Sequence, residues 1–258
     1  MILVFCMSTL LSKVVLKSIQ AAWQRQLDFT ADASHELRTP LAVMLTNLEV
    51  VLDNTEETVS SQIIWLENAM NETKRMAALV DDLLTLSRAD TNEQMLNLET
   101  FNLAYMIEET LKPYYPIGEK QGIEIVFNNK LKNSLDFYGD QKRIQQLIVI
   151  LIDNALKHMG CLGRITVEVE INRKQIELQV KDTGEGINKE DLKKIFNRFY
   201  RVDKANSRKR GGSGLGLAIA KWIVESHKGT IEVKSETGIG TAFKIKLPAD
   251  FYKSNVMQ

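Results

Sequence analysis

The sequence predicts a multi-domain chain of the α and α+β classes: a helical hairpin first, then a domain in which helices cover one face of a mixed β-sheet. Three observations carry this expectation. From about Ser12 to Leu52 no glycine and only one proline, Pro40, interrupts good helix formers whose apolar residues recur at three and four. A polar stretch, Asp90-Thr91-Asn92-Glu93-Gln94, then ends the helical pattern. Beyond it, period-two segments alternate with apolar helical ones, as expected of helices layered on a sheet. At 258 residues the chain is long enough for two ordinary domains. Its 33 basic and 33 acidic residues cancel, so no global field draws it to nucleic acid. Cys6 and Cys161 stand far apart without a Cys-x-x-Cys partner, which argues against a disulfide framework or a thiolate metal site and fits a reducing, cytoplasmic setting.

The first segment, residues 1–11, is almost wholly apolar and is followed by Lys13 and Lys17. It is too short to span a bilayer, which takes about 20 residues. A signal peptide would carry its positive charge before the apolar run. Two readings stand: the inner end of a transmembrane helix with its lysines on the cytoplasmic side, or the start of a long coiled-coil helix.

Residues 12–92 read as the hairpin. The first helix runs from about Ser12 to Leu52. Asp53-Asn54-Thr55-Glu56-Glu57 reads as a turn, with Thr55 as N-cap and the two glutamates in the next first turn. The second helix, about Glu57 to Ala89, carries heptad rows: Val59, Leu66, Thr73 and Val80 on one, Ile63, Met70, Ala77 and Leu84 on the other. A hairpin cannot bury both apolar stripes alone, so pairing of two copies into a four-helix bundle is expected; the alternative is a monomer packed on its own second domain.

Residues 93–258 read as the second domain. Expected helices cover Phe101 to Leu111, Gln141 to His158, Lys189 to Tyr200 and Leu215 to His227. Expected strands cover Ile123 to Phe127, Arg164 to Ile171, Gln175 to Lys181, Thr230 to Lys234 and Thr241 to Leu247, the second and third joined by the turn Asn172-Arg173-Lys174.

Within the first helix, Phe29 to Pro40 puts His35 on the polar side. Asp32, Arg38 and Thr39 share its face at helical spacing, and Glu36 lies about 100° around. Leu27, Leu37, Leu41, Met44 and Leu48 fall largely opposite. Pro40 removes a backbone donor and is expected to bend the helix just past the histidine. An exposed imidazole there is a candidate nucleophile; a solvated surface histidine is the plain alternative.

In the second domain, Gly211 to Ala220 sets glycines immediately before and into a helix start, an arrangement that presents free amides and the positive dipole end to an anion. No Gly-Lys-Ser/Thr follows, so it is not a Walker A loop. The basic Arg208-Lys209-Arg210 before it excludes a dinucleotide fingerprint. Asp182-Thr183-Gly184-Glu185-Gly186 ends a strand, where a carboxylate can accept from an exocyclic amine such as that of adenine and glycine admits close approach; taken alone it is equally a simple turn. Asn154 lies mid-helix among Leu and Ile, which is unfavourable unless its amide is used, and an amide oxygen can ligate magnesium beside ATP phosphates. Lys157 adds positive charge nearby. Phe196 to Asp203 leads into the charged segment Lys204 to Arg210, which reads as a lid, with Arg201 able to reach a terminal phosphate; a solvated loop is the alternative.

Together these blocks resemble the bacterial two-component sensor histidine kinases over nearly the whole chain. Ser34 to Pro40 is similar to the phosphoacceptor motif, Asn154-Ala155-Leu156-Lys157-His158 to the asparagine motif, and Asp182 to Gly186 to the first glycine motif. Phe196 to Phe199 resembles the phenylalanine motif, Gly212-Ser213-Gly214-Leu215-Gly216-Leu217 the second glycine motif, and Gly238-Ile239-Gly240-Thr241 the closing one. The resemblance implies a dimeric hairpin and an α/β-sandwich ATP-binding domain of the gyrase, Hsp90 and histidine kinase type. It implies His35 as phosphoacceptor, Glu36 as general base and Thr39 in dephosphorylation. It implies ATP held around Asn154, Lys157, Asp182, Gly184, Gly186, Phe199, Gly212, Gly214, Leu215 and Gly216, with Arg201 at the phosphates and Mg²⁺ on Asn154. The implied partners are a second copy and the receiver domain of a response regulator, without nucleic acid, and with a membrane met only through the N-terminal segment. Ile150 departs from the pattern, standing where many relatives carry a second asparagine. Two rivals are an ATPase or serine kinase of the same superfamily, which leaves the surroundings of His35 unexplained, and an inactive dimeric scaffold, which the intact motifs argue against.

Overall fold

A computed structural model describes residues 2–90, 96–131, 136–160, 162–202 and 212–249. The expected lid at Lys204 to Arg210, with Asp203, Gly211, Cys161 and Thr91 to Gln94 of the boundary stretch, lies outside these residues. The chain divides into two units, Met1–Leu83 and Leu84–Gln258.

The first unit is built from α1 (Ile2–Asp53) and most of α2 (Val59–Asp90). Helix α1 continues the expected helix back through the apolar N-terminal segment and holds Pro40, buried, in its interior. No described helix is long and apolar enough to cross a membrane.

The turn between the helices corrects the expected cap. Thr58, not Thr55, caps α2: its Oγ1 accepts from the Ser61 N–H at 3.3 Å, while Ser61 Oγ donates to the Thr58 carbonyl at 2.7 Å. Because α1 runs to Asp53, the chain needs the next residues to reverse, and Glu56 and Glu57 fall in the turn. The carbonyls at the end of α1 would be orphans. Asn54 Nδ2 donates to the Val50 carbonyl at 2.7 Å, and Gln62 reaches back from α2 to donate to the carbonyls of Asn54 at 2.5 Å and Val51 at 3.4 Å.

The buried positions of α2 in this unit are Gln62, Ala69 and Leu79, and those of α1 are Pro40 and Asn47; across the hairpin Thr73 Oγ1 also donates to Met44 Sδ at 3.0 Å. Both expected heptad rows stay mainly outside this seam: Val59, Ile63, Met70, Val80 and Leu84 are all exposed. The helix has two apolar stripes, and the hairpin uses only one of them.

The second unit opens with β1 (Glu99–Asn102), α3 (Leu103–Leu111), α4 (Tyr114–Gln121), β2 (Ile123–Asn129) and β3 (Asp136–Gly139). It continues with α5 (Gln141–His158), β4 (Gly163–Asn172), β5 (Gln175–Asp182), α6 (Gly216–Ser226), β6 (Thr230–Glu236) and β7 (Gly240–Pro248). Five strands form a mixed sheet in the order β2-β4-β5-β7-β6, with β2 parallel to β4 and the other pairs antiparallel. Strands β1 and β3 form a separate antiparallel pair.

Three expectations change here. Phe101 and Asn102 belong to β1, and Asn102 Oδ1 caps α3 by accepting from the Tyr105 N–H at 2.9 Å. Helix α4 and strands β1 and β3 were not expected. The segment Lys189 to Tyr200 is a run of turns, not a helix: the Lys194, Asn197 and Tyr200 N–H groups bond three residues back, and the Tyr200 hydroxyl closes the run on Asp191 at 2.6 Å.

The core lies between the sheet and the helices α3, α5 and α6. Ile165, Val167, Leu178, Val180, Phe243 and Ile245 of the sheet are buried, as are Ile107, Leu147, Leu151, Ile219 and Ile223 of the helices. The opposite sheet face carries cross-strand ion pairs, among them Lys244 with Glu177 and Arg164 with Glu124. Alternation therefore decides which side chains reach the core face, and three polar residues on that face matter for the site below.

Candidate active site

His35 is exposed on α1, with exposed Asp32, Arg38 and Thr39 on its face and Glu36 half-buried beside it. Thr39 Oγ1 donates to the His35 carbonyl at 3.3 Å, which fixes the hydroxyl one turn below the imidazole. Pro40 supplies no N–H, so the carbonyl of Glu36 loses its usual helical donor. An unhindered ring nitrogen, a neighbouring carboxylate and a nearby hydroxyl are thus gathered on one solvent-facing helix surface.

The second unit gathers the remaining motifs at one end of its core. On α5, Asn154 is half-buried and its amide makes no hydrogen bond among the described residues; Lys157, one turn on, is exposed. The neighbouring Asp153 is held by the Tyr114 hydroxyl at 3.0 Å, and that phenol is pushed well above its usual pKa by burial first and by Asp153 second. At the end of α5 the His158 carbonyl accepts from the Glu185 N–H at 3.1 Å, and His158 Nδ1 lies 2.7 Å from Glu185 Oε1. A Cβ at Gly184 would stand 2.5 Å from that same carbonyl, so the loop after β5 approaches α5 more closely than any side chain permits.

Asp182, only 4% exposed, points into this region from the end of β5. Its Oδ1 accepts from the N–H groups of Gly184 at 2.9 Å and Thr241 at 3.1 Å. Burial raises its pKa, while those two hydrogen bonds and His158 pull the other way. Oδ2 has no partner among the described residues and is not sealed from solvent, so an open acceptor on a buried residue is left for a ligand's donor. Gly186, at φ 72°, holds the loop against β6, where any Cβ would stand 2.1 Å from the Glu236 carbonyl.

The second glycine motif leads into α6. Gly214 has φ 73°, its carbonyl accepts from the Phe199 N–H at 2.9 Å, and a Cβ there would lie 2.8 Å from the Phe199 backbone. Phe199 itself adopts φ 58°. Leu215 is fully buried, Gly216 starts α6, and a Cβ at Gly216 would stand 3.3 Å from Ile150 on α5. Gly212 is half-buried with open space around it. Arg201 follows the aromatic pair and is half-buried. The asparagine, aspartate, phenylalanine and glycine motifs thus converge in the second unit, while His35, Glu36 and Thr39 form a separate constellation in the first.

Residues 25–92 match the His Kinase A (phospho-acceptor) domain family, and residues 139–250 match the histidine kinase-, DNA gyrase B-, and HSP90-like ATPase family. The chain belongs to the sensor histidine kinases. This kinase is 38% identical over 227 residues to the sensor histidine kinase WalK of Bacillus subtilis, covering 87% of the chain and 37% of WalK. It is 36% identical over 242 residues to the sensor protein CiaH of Streptococcus pneumoniae, covering 93% of the chain and 53% of CiaH. The chain therefore spans about a third to a half of the length of these curated relatives. Among solved structures, the Acinetobacter baumannii histidine kinase AdeS superposes with a TM-score of 0.68 at 27% identity, covering 84% of this chain and 98% of that one. The ATPase match makes ATP the nucleotide of the second unit.

Sequence reasoning did not single out Tyr114, Ser235, or the pairing of His158 with Glu185. Their partners lie 39, 6 and 27 residues away, across elements whose packing the sequence does not display.

Proposed function

We propose that this chain is the catalytic portion of a two-component sensor kinase, which moves the γ-phosphoryl group of ATP to His35 and from there to an aspartate of a response-regulator receiver domain. The observation that carries this reading is one chain bearing both an exposed His35 inside a phospho-acceptor domain and, in its ATPase domain, a buried Asp182 with a free acceptor oxygen. Residues 12–92 form the dimerising phosphotransfer hairpin and 93–258 the ATP-binding domain. Exposed Val59, Ile63, Met70, Val80 and Leu84 supply the stripe for a second copy. Residues 1–11 are the end through which the parent protein meets a membrane, and the rest is its cytoplasmic part.

Adenine sits at Asp182, whose Oδ2 accepts from the exocyclic amine. Gly184 and Gly186 let the loop backbone approach the base, and Gly212, Gly214, Leu215 and Gly216 present amides at the start of α6 to the phosphates. Phe199 holds that loop through its bond to Gly214, and Lys157 and Arg201 bring positive charge to the phosphate chain. The residues suit one divalent ion shared with the nucleotide: the Asn154 amide is unengaged, and no group of three His, Cys, Asp or Glu gathers around a metal position among the described residues. Mg²⁺, held by Asn154 and phosphate oxygens, would neutralise charge on the triphosphate.

A ring nitrogen of His35 attacks the γ-phosphorus in line. The N–P bond forms as the bond to the bridging oxygen breaks, and its electron pair leaves with ADP. Glu36 accepts the proton from the other ring nitrogen. Thr39 orients water when the regulator's phosphoaspartate is hydrolysed. The test is labelling with γ-radiolabelled ATP: His35→Gln should abolish acid-labile label while nucleotide binding persists, and label surviving in that variant overturns the assignment.

A further inference from the structure

We propose that Ser235 is a positioning residue that sets the hydrogen-bond polarity of the adenine end of the site and thereby its preference for a 6-aminopurine over a 6-oxopurine; this rests on the reading that adenine sits at Asp182. Ser235 on β6 pairs directly with Thr241 on β7, and the next step along the β5–β7 register brings Asp182 beside Thr241. All three lie on the core-facing parity of their strands: Asp182 with buried Val180, Thr241 with buried Phe243, and Ser235 with half-buried Val233. They form the last, polar row of the core face, where the hydrophobic layer meets the site.

Counting protons along this row fixes its polarity. A serine hydroxyl has one proton and two lone pairs. Ser235 Oγ gives its proton to the Gly240 carbonyl at 2.9 Å and accepts from the Ile187 N–H at 2.8 Å. Its contact with Thr241 Oγ1, at 2.8 Å, must therefore have Thr241 as donor. With that proton spent, Thr241 offers only lone pairs. The Thr241 N–H is already committed to Asp182 Oδ1. What the row has left is acceptors alone, Asp182 Oδ2 and Thr241 Oγ1. At the 6-position a 6-amino group, directly or with a water, supplies donors to such a row, whereas a 6-oxo group brings another acceptor and leaves lone pairs facing lone pairs there; the N1–H of the 6-oxopurine lies one ring atom away and meets the row only if the base shifts.

Without the Ser235 hydroxyl, the Thr241 proton is released and can turn towards the site, giving the row a donor that tolerates a 6-oxo group. Ser235 also holds the loop after Gly186 through Ile187, so a purely structural role would weaken all nucleotides together. Titrating the whole chain with ADP and IDP separates the two effects. Ser235→Thr keeps the hydroxyl and should keep the ADP/IDP affinity ratio. Ser235→Val, nearly isosteric with it, should lower the ratio about tenfold, roughly one hydrogen bond, chiefly through weaker ADP binding. A Ser235→Val chain with the wild-type ratio, or with both affinities reduced equally, overturns the proposal. If melting shows that the valine variant is unfolded, Ser235→Ala is judged by the same criteria. Asp182→Asn is the control for the underlying reading: unchanged ADP affinity there removes adenine from Asp182 and this proposal with it, whereas lost ADP binding there beside an unchanged ratio in Ser235→Val refutes the role of Ser235 alone.

Discussion

Arg198 grips Asp90 with both outer guanidinium nitrogens, Nη1 to Oδ2 at 2.8 Å and Nη2 to Oδ1 at 2.6 Å. Asp90 is the last residue of α2, whose end from Leu84 onward belongs to the second unit, and Arg198 immediately precedes Phe199 in the turn run. The fork therefore ties the end of a long helix to the segment that hydrogen-bonds the second glycine motif. Both side chains are partly exposed, so the pair contributes about 1 kcal/mol or less to global stability. Its effect is local. Arg198→Ala should raise amide hydrogen exchange in the last turn of α2 and around Phe199 while changing the melting temperature by only a few degrees. Unchanged exchange at both places would show that the fork restrains neither.

Asp182 is held at a cost to folding. Its pKa in the folded chain lies above the ordinary 3.8 because burial disfavours the carboxylate more than its two backbone donors favour it. A raised acid pKa means that the folded state binds the proton more tightly; this stabilising term is present below 3.8 and is lost as pH rises through the folded value. At neutral pH the ionised form is thus a burden in the empty site. Asp182→Asn, which keeps an acceptor for Gly184 and Thr241, should leave the nucleotide-free chain as stable as the parent or more so, and weaken ATP binding by about a hundredfold, the scale of a lost charged hydrogen bond. Thermal unfolding and a nucleotide titration together check both halves.

The long elements and the motif positions were legible because their signals are local. Heptad spacing marks α2, and Asn154 stands out as a lone amide in an apolar helix. The turn run after Asn188 was misread because Leu192, Ile195, Phe196 and Phe199 satisfy helical spacing equally well, while what holds the run is a side-chain bond from Tyr200 to Asp191. Strands β1 and β3 are four residues each, too short to show alternation, and Pro113 and Pro116 disguise α4. The row of Asp182, Thr241 and Ser235 was invisible for another reason: it exists only once three strands are in register.

Gln62 is the hinge pin of the hairpin. Its buried amide donates to the Val51 and Asn54 carbonyls at the end of α1, the second of which also accepts from the Glu57 N–H at 3.0 Å. Gln62→Ala should destabilise the hairpin by about 1 kcal/mol, the net contribution of hydrogen bonds lost from a buried amide. Gln62→Glu should be no better, since a carboxylate cannot donate to carbonyls. Denaturant unfolding of the three chains provides the comparison, and a glutamate variant as stable as the parent would rule out the donor role.

The glycines of the site divide by geometry. Gly186 combines φ 72° with a carbonyl 2.1 Å from any added Cβ, whereas Gly212 has nothing within 4 Å of one. Gly186→Ala should lose about 2 kcal/mol or more through strain and displacement of β6, and bind ATP poorly. Gly212→Ala should melt within a few degrees of the parent, so that any loss of ATP affinity in it reports on the phosphate end alone. Equal melting temperatures for the two variants would contradict the packing described for Gly186.

His227 predicts how the second unit fails in acid. The ring is fully buried at the end of α6, where Nε2 accepts from the Asp140 N–H at 3.0 Å. That bond requires Nε2 to be unprotonated, so Nδ1 carries the hydrogen and donates to the Ile223 carbonyl at 2.8 Å. A second proton would break the bond to Asp140, which caps α5 by accepting from the Arg143 N–H, and would charge a site without solvent. Burial accordingly lowers the pKa below 6.5. With a lowered base pKa, the unfolded chain binds the proton first. The stabilising term is complete above pH 6.5 and is lost as pH falls below that value towards the folded pKa, with a slope of at most about 1.4 kcal/mol per pH unit for one group. His227→Gln, which does not titrate, should be less stable than the parent at pH 7.5 but should show a shallower decline between pH 6.5 and 5. Urea unfolding across that range measures the difference in slope, and parallel curves would show that the imidazole is not the group that acid attacks.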